Sequence, residues 1–122
     1  MSYEMVEEKD LIRVRMFGVL TAKDLIEMQE EAARLDDGRD PAPNRLADLR
    51  EVTEVRIGFP DVNGLAEARR TRRFPNSYKS AIVVANPVQS GMARMFRTLN
   101  DNPQIAIEIF TDEAKALVWL RS

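Results

Sequence analysis

Apolar and polar residues along this chain follow two rhythms that take turns. From Leu11 to Val19 the period is two: Ile12, Val14 and Met16 alternate with Arg13, Arg15 and Phe17, as in a strand with one wetter face. Tyr3 to Glu8 reads as a shorter companion, with Lys9-Asp10 as the turn. The two are expected to pair as a hairpin at or near a sheet edge. The period then lengthens. Leu25, Met28, Ala32 and Leu35 stand at i, i+3, i+7 and i+10, the apolar stripe of a helix. Thr21 can cap that helix through its hydroxyl, and Asp24, three residues on, resembles the second half of a capping box. The run Asp36-Asp37-Gly38-Arg39-Asp40-Pro41-Ala42-Pro43 stops it in a polar loop.

Asn44 to Arg50 is short and apolar in its middle, and predicts a buried central strand. In residues 51–59, Val52, Val55, Ile57 and Phe59 are interleaved with Glu51, Glu54 and Arg56, which fits an irregular loop or a short extra strand. Pro60 suits the first position of a helix and Asp61 its electropositive end. That helix is expected to run to about Phe74 and stop before Pro75. Ala81-Ile82-Val83-Val84-Ala85 predicts a strand buried on both faces. Asn86-Pro87 opens a helix bearing Val88, Met92, Met95, Phe96 and Leu99 on one stripe. After Asn102-Pro103, Ile105 to Phe110 reads as a fifth strand. Thr111 is expected to cap a last helix with Asp112 and Glu113 in its first turn and Ala114, Leu117 and Val118 inward. The predicted order is ββαβαβαβα over residues 1–122. It implies a single α/β domain with a five-strand, mixed but largely parallel sheet and four helices.

Composition narrows the chemistry. The 122 residues contain no histidine and no cysteine, which removes the usual metal ligands, the neutral-pH proton shuttle and the most reactive nucleophile. Ser77, Ser80 and Ser90 have no histidine to activate them, so a serine hydrolase of the common type is excluded. No apolar run approaches the roughly 18 residues that span a bilayer, and no basic-then-apolar leader opens the chain. A cytoplasmic protein is expected. The net charge of −2 is unevenly spread: residues 1–40 carry 11 acids and 6 bases, residues 41–100 carry 5 acids and 10 bases. An overall pI near 5.3 argues against a dedicated nucleic-acid binder.

The element order and length resemble the STAS domain, the fold of anti-sigma-factor antagonists such as SpoIIAA, and within it the SpoIIAA-like, SEC14-related branch. The resemblance is carried by Leu11–Thr21, by Leu46-Ala47-Asp48-Leu49-Arg50, and by Thr111-Asp112-Glu113-Ala114 with the closing Leu117-Val118-Trp119-Leu120. It implies a bacterial regulatory module that binds a protein partner. The antagonists carry a phosphorylatable serine in a D-S-S-G-L type motif. Here the nearest match is Asp61-Val62-Asn63-Gly64-Leu65, farther from Asp48 than in the family, with valine in the acceptor position. Thr53 is a substitute acceptor by position alone. SEC14-like relatives bind nonpolar ligands between helix and sheet, and some SpoIIAA-like members associate with membranes.

In an open α/β sheet, ligands gather at the carboxyl ends of the parallel strands. Those ends present Asp48, Arg50, Glu51, Thr53 and Glu54, then Asn86 and Ser90, then Phe110 and Thr111. Glu51 and Glu54 read foremost as solvated charges. Ser90-Gly91 reads as a helix start, and the five glycines are scattered singly, so no phosphate loop is present. Arg69, Arg70, Arg72 and Arg73 form the densest basic cluster.

Two functional readings follow, with no enzyme activity, cofactor or metal expected in either. The leading one is an interaction module that docks a regulatory partner through Arg69, Arg70, Arg72 and Arg73, with Phe59 and Val62 as an apolar anchor. The alternative is a carrier or sensor of a small nonpolar ligand, held by Ile57, Phe59, Val62, Leu65, Met92, Met95 and Phe96; paired methionines give such a surface its adaptability. Peripheral membrane contact and a homodimer are compatible with both. A weaker third reading is an enzyme built on Asp48, Glu51 or Glu54.

Overall fold

A computed structural model describes residues 2–122. Its elements are β1 (Tyr3–Glu7), β2 (Leu11–Thr21), α1 (Ala22–Asp36), β3 (Asn44–Arg56), α2 (Phe59–Arg70), β4 (Tyr78–Val83), α3 (Pro87–Leu99), β5 (Ile105–Phe110) and α4 (Glu113–Leu120). The sheet order is β1-β2-β3-β4-β5. β1 pairs antiparallel with β2 as the expected edge hairpin, and every other pairing is parallel.

The order of strands dictates where the helices go. Strands β2 to β5 are laid down side by side in chain order, and right-handed crossovers then place α1, α2 and α3 on one face. Only α4, which follows the last strand, is free to cover the other. Two cores result. The larger joins Leu20, Leu49, Val52, Tyr78, Ile82 and Val84 of the sheet side to Leu25, Met28 and Ala93 of the helices. The smaller packs Leu11, Leu46, Ala81 and Val83 against Ala116 and Leu120 of α4. Ala81, Ile82 and Val83 are thus buried on both faces of β4, as their apolar run predicts, but the strand starts earlier, at Tyr78, and ends at Val83, leaving Ala85 exposed.

The unreadable stretch 51–56 is the second half of one long strand. Two register shifts separate β3 from β2: Arg15 faces Asp48 while Phe17 faces Glu51, and Gly18 faces Val52 while Val19 faces Glu54. Each inserts an extra residue on β3, a β-bulge. Leu49, Val52 and Val55 therefore reach the same core at a spacing of three, where a regular strand would need two. Gly18, with φ of 67°, lies between the two shifts, a left-handed backbone that glycine adopts without a Cβ penalty.

Three helices also differ from expectation. α2 ends at Arg70, not near Phe74. Asn102 Nδ2 donates to the carbonyls of Arg69 and Arg72, and Gln104 bonds both the N–H and the carbonyl of Phe74. Tertiary partners so satisfy the groups that a longer helix would have bonded. The ring of Phe74 then meets Tyr78 edge-on at 5.0 Å. On α3, Val88 is exposed. On α4 the cap is Asp112, whose carboxylate accepts from the N–H groups of Ala114 and Lys115, and the inward residues are Ala116 and Leu120 while Ala114 and Val118 face water. Glu113 sets that phase by accepting from Arg13 and Arg50 on the sheet. The α1 start is as read: the Thr21 hydroxyl and Asp24 form a capping box.

Candidate functional site

A cavity of about 130 Å³ lies between the sheet and α1, α2 and α3. An apolar cavity of about this size takes a benzene-sized molecule. Its walls come from β1 and β2 (Met5, Val14, Met16), α1 (Leu25, Met28), α2 (Val62, Leu65) and α3 (Met92, Phe96). Four of these nine side chains are methionines, whose unbranched thioethers repack around differently shaped contents.

One part of the wall is polar. Arg45 projects from β3, buried at 6% exposure. Its Nη2 donates to Asp36 at the end of α1, and its guanidinium lies 4.9 Å over the ring of Tyr78. Asp36 also accepts from Arg72 Nη1 at 3.2 Å. Arg69 Nη1 donates to the Tyr78 hydroxyl at 2.9 Å. Burial, reinforced by nearby Arg45, pushes the Arg69 guanidinium below its ordinary pKa; Tyr78 and Asp36 oppose that shift. Ser80, Gln29 and Asn100 complete the polar part.

The six residues expected to make a docking surface do not share one. Val62, Ala66 and Arg69 stand at i, i+4 and i+7 of α2, on the stripe that packs inward. Val62 is buried at 3% exposure, and Arg69 points its guanidinium at Tyr78. Arg72 is half-buried, bonded to Asp36 and 5.0 Å from the Phe74 ring. Arg70 donates to the Leu99 carbonyl at 3.1 Å. Only Arg73 and Phe59 are exposed. An arginine run in sequence became a set of separate local bonds because α2 sends Arg69 and Arg70 about 100° apart and ends before Arg72 and Arg73.

The residues expected to hold a ligand are better gathered. Ile57, Leu65, Met92 and Phe96 all line the cavity, together with Val62, whereas Phe59 and Met95 are not in its wall. Phe59 opens α2 and faces water. Sequence reasoning missed Met5, Met16, Met28, Arg45, Tyr78 and Asn100. Arg45 had a signal: a guanidinium at a core-facing position of a strand otherwise read as buried.

On the other face, Asp48 accepts from the backbone N–H, Nε and Nη2 of Arg50. Burial alone would raise the Asp48 carboxyl, but the Arg50 bonds outweigh it and hold it below its ordinary value. Glu51 bonds Arg15 at 2.6 Å and Glu54 bonds Arg56 at 3.1 Å. The three carboxylates are thus each tied to a different arginine and do not converge as an acid/base pair. Among the described residues no group of acidic side chains could hold a metal ion, and no helix is long and apolar enough to cross a membrane.

Residues 69–122, from the end of α2 through α4, match a family model described as a domain of unknown function, DUF7793. No curated protein matches the sequence. Among solved structures, the chain is similar to an uncharacterised protein of the DUF3478 family with a SpoIIAA-like fold from Shewanella loihica PV-4. The TM-score is 0.66 at 19% identity, over 97% of this chain and 91% of that one. It is also similar to an anti-sigma factor antagonist from Mycobacterium paratuberculosis, with a TM-score of 0.64 at 12% identity, over 98% and 93% of the two chains. The chain therefore has the SpoIIAA-like, STAS-type fold that its element order resembles.

Proposed function

We propose that this protein is a non-catalytic STAS-type module that carries or senses a small nonpolar molecule in the cavity between its sheet and α1–α3. One observation carries the proposal. Five of the residues read from sequence as a ligand site, Ile57, Val62, Leu65, Met92 and Phe96, converge with six further methionine and leucine side chains on one apolar cavity. Binding there needs no phosphorylation switch, and position 62 offers none, since its valine is a buried cavity wall. The ionic groups at the strand ends are occupied with one another, which supports a module without chemistry of its own.

The test is native mass spectrometry on gently purified protein, with solvent extraction of whatever leaves it, beside a thermal-shift series with small apolar molecules such as toluene and hexanol. An extractable apolar adduct, or a rise in Tm that Phe96→Asp abolishes, supports the proposal. A clean protein whose Tm no apolar molecule moves overturns it.

A second reading, docking of a regulatory protein, is favoured by Phe59, a 56% exposed aromatic at the start of α2. With Arg73 it is what remains at the surface of the six-residue patch.

A further inference from the structure

We infer that the occupant of this cavity is an amphipathic anion, a short aliphatic carboxylate, with its head group against Arg45 and its tail among the methionines. The inference rests on the cavity being a ligand site and adds the chemical class of the ligand. Its first support is an unfilled valence. Arg45 is more than nine-tenths buried, lines the cavity, and spends only Nη2 on Asp36; Nε and Nη1 find no hydrogen-bond partner among the described residues. Buried donors of a charged group are seldom left so.

The second support is charge. Arg45 and Arg69 line the cavity and Arg72 the hollow beside it, and among the described residues Asp36 is the one carboxylate bonded to any of them, shared between Arg45 and Arg72. Tyr78 accepts from Arg69 through its hydroxyl oxygen. A neutral ligand or water would leave this positive excess in place, and a cationic one would add to it. A carboxylate offsets it and accepts from the free Arg45 donors, the strong charge-assisted type of bond. Apart from the arginines, Tyr78, Gln29, Ser80 and Asn100, the wall is apolar, which favours a compact head on a hydrocarbon tail over a larger polyanion.

Third, a second hollow lies beside the arginines. A hollow of about 110 Å³ lies between α1 and α2, walled by Ala33, Ala68 and Arg72, and it shares Gln29, Ala32 and Arg69 with the main cavity. Arg69 thus borders both spaces, so cationic groups line the side of the cavity that faces this hollow.

The experiment compares hexanoate, hexanol and hexylammonium by calorimetric titration of the full chain, in wild type, Arg45→Met and Arg69→Met. Hexanoate is expected to bind wild type at least about tenfold tighter than hexanol, the value of one good bond to a charged group. Both substitutions should erase that preference and leave hexanol binding intact. In ¹³C NMR the carboxyl of bound hexanoate should titrate lower than in free solution. If Arg45→Met does not fold, the head-group series on wild type and Arg69→Met still decides. Hexanol or hexylammonium binding as tightly as hexanoate would overturn the anionic head and leave the apolar cavity standing. No binding of any of the three would overturn both.

Discussion

The guanidinium of Arg45 lies 4.9 Å over the ring of Tyr78, and the same tyrosine accepts a hydrogen bond from Arg69 through its hydroxyl. One aromatic side chain on β4 thereby holds two cations, one on its face and one at its edge, at the polar wall of an apolar cavity. Tyr78→Phe keeps the ring under Arg45 and removes only the acceptor for Arg69. We expect a loss of about 2 kcal/mol, the magnitude of a hydrogen bond to a charged group, read by urea unfolding. A loss below about 0.5 kcal/mol would mean that Arg69 finds water or another acceptor at no cost.

Asp36 is the anionic hinge of this cluster, with its side chain 2% exposed between Arg45 and Arg72. Asp36→Asn leaves a buried guanidinium without its counter-charge, and breaking a buried pair from one side typically costs about 3–5 kcal/mol. Chemical denaturation should show the variant far less stable than Glu54→Gln, whose carboxylate lies exposed beside Arg56. Equal midpoints for the two would refute a structural role for the buried pair.

Leu65→Phe adds ring volume to a position that lines the cavity. Filling it should raise stability by about 1 kcal/mol and abolish hexanol binding together. A destabilised variant that still bound hexanol would show that the cavity is not where the molecule sits.

Acid should weaken the fold through two carboxylates. Burial would raise Asp24, but the backbone N–H and hydroxyl of Thr21 outweigh it and hold it below 3.8; Asp48 is held below 3.8 by Arg50 against its own burial. A carboxyl lowered on folding contributes stability that is fully present above its unfolded value and is lost as pH falls through its folded value. Unfolding free energy should therefore be flat through neutral pH on account of these groups and decline below about pH 4. Asp24→Asn and Asp48→Asn should each make that decline shallower, and unchanged acid slopes would sink the assignment.

If a regulatory protein docks at the α2 start, Phe59→Ser with Arg73→Glu should abolish its capture while shifting unfolding by less than about 0.5 kcal/mol, as surface changes do. Capture undiminished in this double variant would remove the docking reading.

Much of the fold was legible because local pattern and tertiary burial agree in it. The period-two run of β2, the Thr21 and Asp24 capping box, Ala81 to Val84 of the β-branched run and Leu25, Met28 and Ala32 of the α1 stripe all lie as their spacing predicts, while Leu35 is only half-buried and Ala85 is exposed. Legibility failed where a partner distant in sequence set the outcome. The bulges of β3 exist only against β2, the end of α2 is fixed by Asn102 and Gln104, and the phase of α4 by Arg13 and Arg50.

The candidate site divides the same way. Its apolar members on α3 announce themselves as a stripe, since apolar residues at helical spacing have to face something. Its cationic wall does not. Arg45, Arg69 and Arg72 look in sequence like any solvated arginines, and Asp36 like part of an acidic loop. The sequence by itself determined the alternation of elements, and with it a largely parallel sheet covered by helices, because periodicity and crossover handedness are local rules; the side-by-side strand order that puts α1, α2 and α3 on one face belongs to the tertiary structure. Only the tertiary structure decided which arginines go inside, because the side-chain direction on α2 is set by the packing of Val62 and Ala66, and charge burial is stable only where Asp36 and Tyr78 arrive from other elements to meet it.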